Sequence, residues 1–185
     1  MVSITLSGCD SLESQTLTIL HTNDLHLAVG HHRSRPYNLG GLAKLSTLIK
    51  TKKQQNASHP TLLLDAGDWS EGNMYFAVDE GYSMLRLLDT MGYDAAVLGN
   101  HDFIGGPNRL LSVLSQRPRN VPILAQNLNY TSYDKGEELK RELPPYKRFQ
   151  FNTGFSVAVI GVTTFEFTYS SYIEPVKIVD PIAQL

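Results

Sequence analysis

The chain reads as an α/β protein built on a mainly parallel sheet, and three observations carry that expectation. Strand-like and helix-like apolar patterns alternate from Thr16 to Ala125, as in successive strand–helix–strand units. One strand candidate, Leu62-Leu63-Leu64, is apolar without alternation, the mark of a strand covered on both faces. Three short polar clusters, Thr22-Asn23-Asp24-Leu25-His26, Asp65-Ala66-Gly67-Asp68 and Gly99-Asn100-His101-Asp102, stand where such strands would end. Ligands and reacting groups gather at that edge of a parallel sheet.

The first strand is Thr16 to Leu20, which alternates polar and apolar residues with the period of a half-buried strand. After a loop, Gly40-Gly41 opens a segment whose Leu42, Leu45, Leu48 and Ile49 share one helical face and which ends in lysines and glutamines. Pro60 to Leu64 is the second strand. A loop runs to about Glu80, and Met84, Leu85, Leu87, Leu88 and Met91 then mark a helix closed by Gly92. Asp94 to Leu98 is the third strand. Gly106-Pro107 starts a helix with proline in its first turn, where its missing amide hydrogen is harmless, and Leu110, Leu111 and Leu114 form the apolar stripe. Pro122 to Ala125 is a fourth strand. Tyr146 to Phe151 and Phe155 to Val162 read as a hairpin around Asn152-Thr153-Gly154. The polar stretch Asn129 to Glu142 carries no assignable pattern. Asp180-Pro181 reads as a helix opening.

With 185 residues, 42% of them hydrophobic, and a net charge of −2, the chain has the composition of a globular domain with its own core. The balance of 16 basic and 18 acidic residues gives no electropositive face, so binding to a nucleic-acid polymer through released counterions is not expected. No stretch approaches the roughly 20 apolar residues that span a bilayer.

The chemistry lies in the three clusters. Asp24 and His26 alternate across one residue, so in extended backbone both can grip one cation through a carboxylate oxygen and an imidazole nitrogen. Asp68 follows Gly67, whose lack of a side chain permits a tight turn, and its carboxylate can bridge two cations. Asn100 offers a neutral carbonyl oxygen. His101 would face the substrate, either protonating a departing alkoxide or holding a phosphate oxygen, with Asp102 to orient it. Taken singly, each residue also fits a turn or a cap, Asp65 among them. Taken together at three strand ends, they indicate a metal site.

Ile19-Leu20-His21-Thr22-Asn23-Asp24-Leu25-His26, Gly40-Gly41-Leu42-Ala43, Leu64-Asp65-Ala66-Gly67-Asp68, Gly92-Tyr93-Asp94-Ala95, Leu98-Gly99-Asn100-His101-Asp102-Phe103 and Val159-Ile160-Gly161-Val162-Thr163-Thr164 occur in the order found in the 5′-nucleotidase branch of the calcineurin-like metallophosphoesterases. The chain resembles that branch from about Thr16 through Thr164. The resemblance implies a sandwich of two mixed sheets flanked by helices, residues 16–185 forming the amino-terminal part of that domain. It implies two divalent cations (Mn, Zn or Fe) on Asp24, His26, Asp68 and Asn100, with Asp68 bridging and His101 catalytic, and a metal-activated hydroxide attacking phosphorus in line. Three departures are visible. Leu27-Ala28 follows His26 where many relatives carry Gly-His. Ile104 stands where nucleotidases usually place the acid that pairs with the catalytic histidine. No histidine follows His101, whereas the family draws further ligands from a later histidine and a Gly-His-x-His segment.

The implied function is hydrolysis of a nucleotide to nucleoside and phosphate. The alternatives are a cyclic-nucleotide phosphodiesterase, a nucleotide-sugar hydrolase, a thiosulfate-ester hydrolase, or a non-catalytic half-domain. Leu6-Ser7-Gly8-Cys9 resembles the cleavage box of a bacterial lipoprotein signal. On that reading, residues 1–15 are a signal remnant and tether, Cys9 is lipidated and attached to a membrane, and the protein belongs to the bacterial cell envelope.

Overall fold

The computed structural model describes residues 2–6, 15–30, 32–34, 37–164 and 170–182. In chain order its elements are β1 (Val2–Leu6), β2 (Gln15–Thr22), β3 (His32–Ser34), β4 (Tyr37–Leu39), α1 (Leu42–Gln55), β5 (Thr61–Asp65), α2 (Phe76–Asp79), α3 (Tyr82–Met91), β6 (Ala95–Val97) and α4 (Gly106–Gln116). Then follow β7 (Ile123–Leu124), β8 (Leu128–Asn129), α5 (Gly136–Glu142), β9 (Tyr146–Gln150), β10 (Ser156–Ile160) and β11 (Lys177–Ile178). Single turns of 3-10 helix cover His101–Phe103 and Ser171–Ile173.

The main sheet runs β1-β2-β5-β6-β7. The pairs β2/β5, β5/β6 and β6/β7 are parallel, as the strand–helix alternation requires. Val2–Leu6 pairs antiparallel with β2 at the sheet's edge, a strand within the stretch expected to be a leader and tether. Cys9 lies outside the described residues.

Period explains which helical faces are buried. α3 buries Met84, Leu85, Leu88 and Met91, and Gly92 closes it in the left-handed region at φ 75°. α4 buries Leu110, Val113 and Leu114 behind Pro107. In α1, Leu42 and Ile49 are buried, while Leu48, expected on the same face, is 53% exposed. At 100° per residue it falls about 120° round the helix from Leu42 and about 100° from Ile49, the two buried positions. These helical residues join Leu63, Ala96, Leu98 and Ile123 in one apolar cluster. On the sheet's other side, Leu64, Ala95 and Leu124 line a cavity of about 300 Å³ with Val159 and Ile160 of β10.

The β9/β10 hairpin forms as its sequence predicts, in antiparallel register. It is tied to the end of β7 by Gln126 N–H donating to the Gly161 carbonyl at 2.7 Å. Asn127, fully buried, pins three segments. Its side chain exchanges hydrogen bonds with the Thr163 backbone and donates to the Val179 carbonyl, and its own carbonyl accepts from Val179 N–H. The stretch 129–142, which carries no legible pattern, holds the end of β8 and the helix α5, whose Leu139 is fully buried. At Asp180 the carboxylate accepts Ile182 N–H, a turn; the rest of the segment expected to open a helix, residues 183–185, lies outside the described residues.

Candidate metal centre

Past their carboxyl ends, β2 and β5 stay zipped together through the loops. Ala66 N–H donates to Thr22 O, Asp24 N–H to Gly67 O, His26 N–H to Asp68 O and Leu27 N–H to Trp69 O. The ladder is not extended backbone. Asp24, His26, Leu27 and Asp68 have φ between 45° and 57°, four of the five non-glycine residues with positive φ among those described. A left-handed conformation costs an ordinary residue about 1–3 kcal/mol, and its concentration here marks a site held in place by its surroundings. Asp24 and His26 therefore converge through two left-handed turns, not through the strand alternation their spacing suggests.

A third loop, following β6, closes against the second. Gly99 packs so tightly on Asp68 that a Cβ there would lie 2.2 Å from Asp68 Oδ1, so only glycine fits. Asp68 Oδ1 accepts the His101 amide at 2.9 Å, and its Oδ2 has no donor among the described residues. The half-buried Asn100 side chain likewise lacks a partner among the described residues. His26, Asp68 and His101 bring one donor atom each within 4.8 Å of one another, and the two imidazole rings meet edge to face at 4.9 Å between centroids.

The donor set fits a cation. Ligand atoms sit about 2.0–2.2 Å from ions such as zinc, so two donors of one ion lie at most about 4.4 Å apart. His26 Nε2 is 3.6 Å from Asp24 Oδ1. The Nδ1 of His26 bonds the Glu71 carbonyl; a carbonyl only accepts, so the proton sits on Nδ1 and Nε2 is left as a ligand. Carboxylate, amide and imidazole together suit Mn, Zn or Fe.

Residues 17–172 match the family described as calcineurin-like phosphoesterase. The chain belongs to that family. It is 37% identical over 160 residues to snake venom 5′-nucleotidase of Gloydius brevicauda, covering 81% of this chain and 26% of the relative. It is 33% identical over 162 residues to 5′-nucleotidase of Bos taurus, with 84% and 27% covered. The chain therefore spans about a quarter of the length of these curated relatives. A crystal structure of a 5′-nucleotidase precursor from Thermus thermophilus superposes with TM-score 0.78 at 28% identity, over 91% of this chain and 32% of that one.

The structure brings together Asp24, His26, Asp68 and His101, and gives Asp102 a different place from the one expected. Asp102 is fully buried. Its Oδ2 accepts the amides of Asp68 and Gly99, and its Oδ1 accepts that of Ser70, each at 2.9 Å. Both oxygens are committed to backbone, so Asp102 organises the Asp68 and Gly99 loops, and the carboxylate on His101 Nδ1 is that of Glu71, at 2.7 Å. Burial pushes the Asp102 carboxyl up to about 6, against the pull of those same amides.

Asp65 takes the turn role that its type allows: Gly67 N–H donates to its Oδ1, and Thr22 Oγ1 donates to its Oδ2 at 2.6 Å. The sequence reading passed over the loop after Asp68. There Glu71 meets both histidines, a Cβ on Gly72 would lie 2.7 Å from His26 Cβ, and Asn73 Nδ2 donates to the carbonyls of His26 and Leu27. The signal available was position alone: an acid three residues beyond a candidate ligand.

Proposed function

We propose that this chain is the amino-terminal catalytic part of a 5′-nucleotidase-type phosphohydrolase, which releases phosphate from nucleotide phosphoesters with two divalent cations held in part by Asp24, His26, Asp68 and Asn100. The observation that carries the reading is the convergence of His26, Asp68 and His101 within 4.8 Å at the ends of three strands. The 5′-nucleotidase relatives support the substrate class. When bound, such cations supply positive charge for phosphoryl oxygens and acidify water.

The protein's own groups do the rest. The loop ladder from Thr22 to Trp69 fixes the ligands before substrate arrives, so little reorganisation is required in the transition state. His101, anchored by its amide on Asp68 Oδ1, contacts the ester oxygen or a phosphoryl oxygen from beside the cation site. An extracytoplasmic setting, with attachment through a lipidated Cys9, is part of the same proposal and rests on Leu6-Ser7-Gly8-Cys9.

The test is Asp68→Asn, assayed with Mn²⁺ against a panel of nucleoside monophosphates, cyclic nucleotides, nucleotide sugars and thiosulfate esters. Release of phosphate from monophosphates by the parent, with at least a hundredfold loss in the variant, is the expected result. Retained activity in Asp68→Asn ends the two-cation reading, and preference for another ester moves the substrate assignment.

A further inference from the structure

One loop residue touches both imidazoles of the site. The Glu71 backbone carbonyl takes His26 Nδ1, and the Glu71 carboxylate takes His101 Nδ1 at 2.7 Å. Carbonyl and carboxylate oxygens both accept and cannot donate. Each contact therefore puts a proton on the Nδ1 of its ring. The contact with His101 is made at 29% side-chain exposure for Glu71 and 35% for His101, so solvent competes only in part. Gly72, with φ 139°, lets the chain turn against His26 at a point where a Cβ would clash, and Asn73 ties the following turn to the His26 and Leu27 carbonyls. Trp69, fully buried, donates from Nε1 to the Val97 carbonyl and anchors the loop on its other side. The carboxylate of Glu71 is thus delivered by a loop fixed at both ends.

We propose that Glu71 is the positioning acid of this site, keeping Nδ1 of His101 protonated and setting the ring's orientation, so that a proton passed to the substrate leaves from Nε2, while the same residue's backbone orients His26. This rests on the reading of the cluster as a phosphoester-hydrolysing centre. Asp102 is committed to three amides, and position 104, where the resemblance to nucleotidases led to the expectation of an acid, is Ile104. The carboxylate reaches the ring from a different loop instead. A ring partner that fixes tautomer and direction is worth about tenfold to a hundredfold in activity when lost.

The experiment compares the full chain with Glu71→Gln and Glu71→Ala. Heteronuclear NMR of the imidazole nitrogens, with the His101 signals assigned by their loss in His101→Asn, reads the tautomer directly and needs no turnover. The parent should show the Nδ1-protonated form at His101. Glutamine, whose amide can donate to Nδ1, should shift the ring toward the other tautomer, and alanine should leave the two tautomers mixed. With nucleoside monophosphate and Mn²⁺, both variants should lose about tenfold or more in kcat, with KM and Mn²⁺ content within about twofold of the parent. An unchanged His101 tautomer in both variants overturns the proposal, as does loss of bound Mn²⁺, which would make Glu71 a ligand or a structural brace. A parent that hydrolyses no ester refutes the proposed function and leaves the tautomer result to decide the role of Glu71.

Discussion

Asp65 and Asp102 are carboxylates buried behind the candidate ligands, and each accepts hydrogen bonds from backbone amides. Burial dominates at Asp65, raising its pKa to about 7 against the opposing bonds from Thr22 and Gly67. Tyr93, which shares the Thr22 hydroxyl at 2.7 Å, is pushed up to about 12 by the same burial. The sign of the effect on stability follows from linkage. A carboxyl whose folded pKa lies above its unfolded value of 3.8 binds its proton more tightly in the native state, so its contribution is full below about pH 4 and is lost as pH rises to about 7. Asp65→Asn replaces it with a neutral group of the same shape. In chelator, the variant's stability relative to wild type should rise from about pH 4 to about pH 7, by on the order of 2–4 kcal/mol. Urea unfolding across that range checks this, and a flat difference would mean that Asp65 ionises without penalty.

Among the elements, α4 and α5 meet over an ion pair that neither element's sequence announces. Arg117, at the end of α4, bonds the Glu142 carboxylate, the Glu142 carbonyl at 3.0 Å and the Leu114 carbonyl at 2.6 Å. The Arg117 side chain is 6% exposed and that of Glu142 13%, while Arg119, the second partner of Glu142, is 61% exposed. Removing one member of such a pair strands the other charge in a poorly solvated place, which costs about 3–5 kcal/mol when burial is complete. Glu142→Gln should therefore destabilise the chain by roughly 2–4 kcal/mol, whereas Arg119→Gln, at the exposed end, should cost less than about 1 kcal/mol. Thermal unfolding of the two variants measures both, and equal effects would show that the Arg117 contact carries no special weight. This docking matters to the site because α4 also supplies Arg109, whose guanidinium donates to the Asp102 carbonyl at 2.9 Å and lies 4.8 Å from the Phe76 ring centroid. The helix thus braces the loop that carries Asp102.

For the whole molecule, ligand binding and folding are coupled, because the donors come from three loops that are brought together only in the native chain. A cation that binds the folded state alone stabilises it by about 2.7 kcal/mol at a hundred times its Kd. Adding Mn²⁺ should raise the unfolding temperature of the parent, chelator should reverse the rise, and Asp68→Asn should show neither change. An unfolding temperature indifferent to Mn²⁺ would mean that the cluster holds no ion in this chain. The other feature at this scale is the face of the main sheet turned toward β10: Ala95 and Leu124, both buried, and Leu64 line the roughly 300 Å³ cavity there with Ile160, itself 49% exposed. No helix among the described residues is long and apolar enough to cross a membrane.

The sequence by itself determined the parallel core, the helices α1, α3 and α4, the β9/β10 hairpin and the three clusters, because period, capping and turn chemistry are local and each was written in consecutive residues. It also carried the family, since motifs in fixed order survive without reference to space. Tertiary structure decided the rest. The α5 segment has no clear stripe of its own and is fixed by contacts with α4, and β8 and β11 are two-residue strands that exist only as each other's partners. The division of labour between Asp102 and Glu71 was beyond local reading for the same reason. Along the chain Asp102 adjoins His101 and Glu71 does not, and only packing showed that the adjacent acid is enclosed by amides while the one thirty residues away reaches the ring.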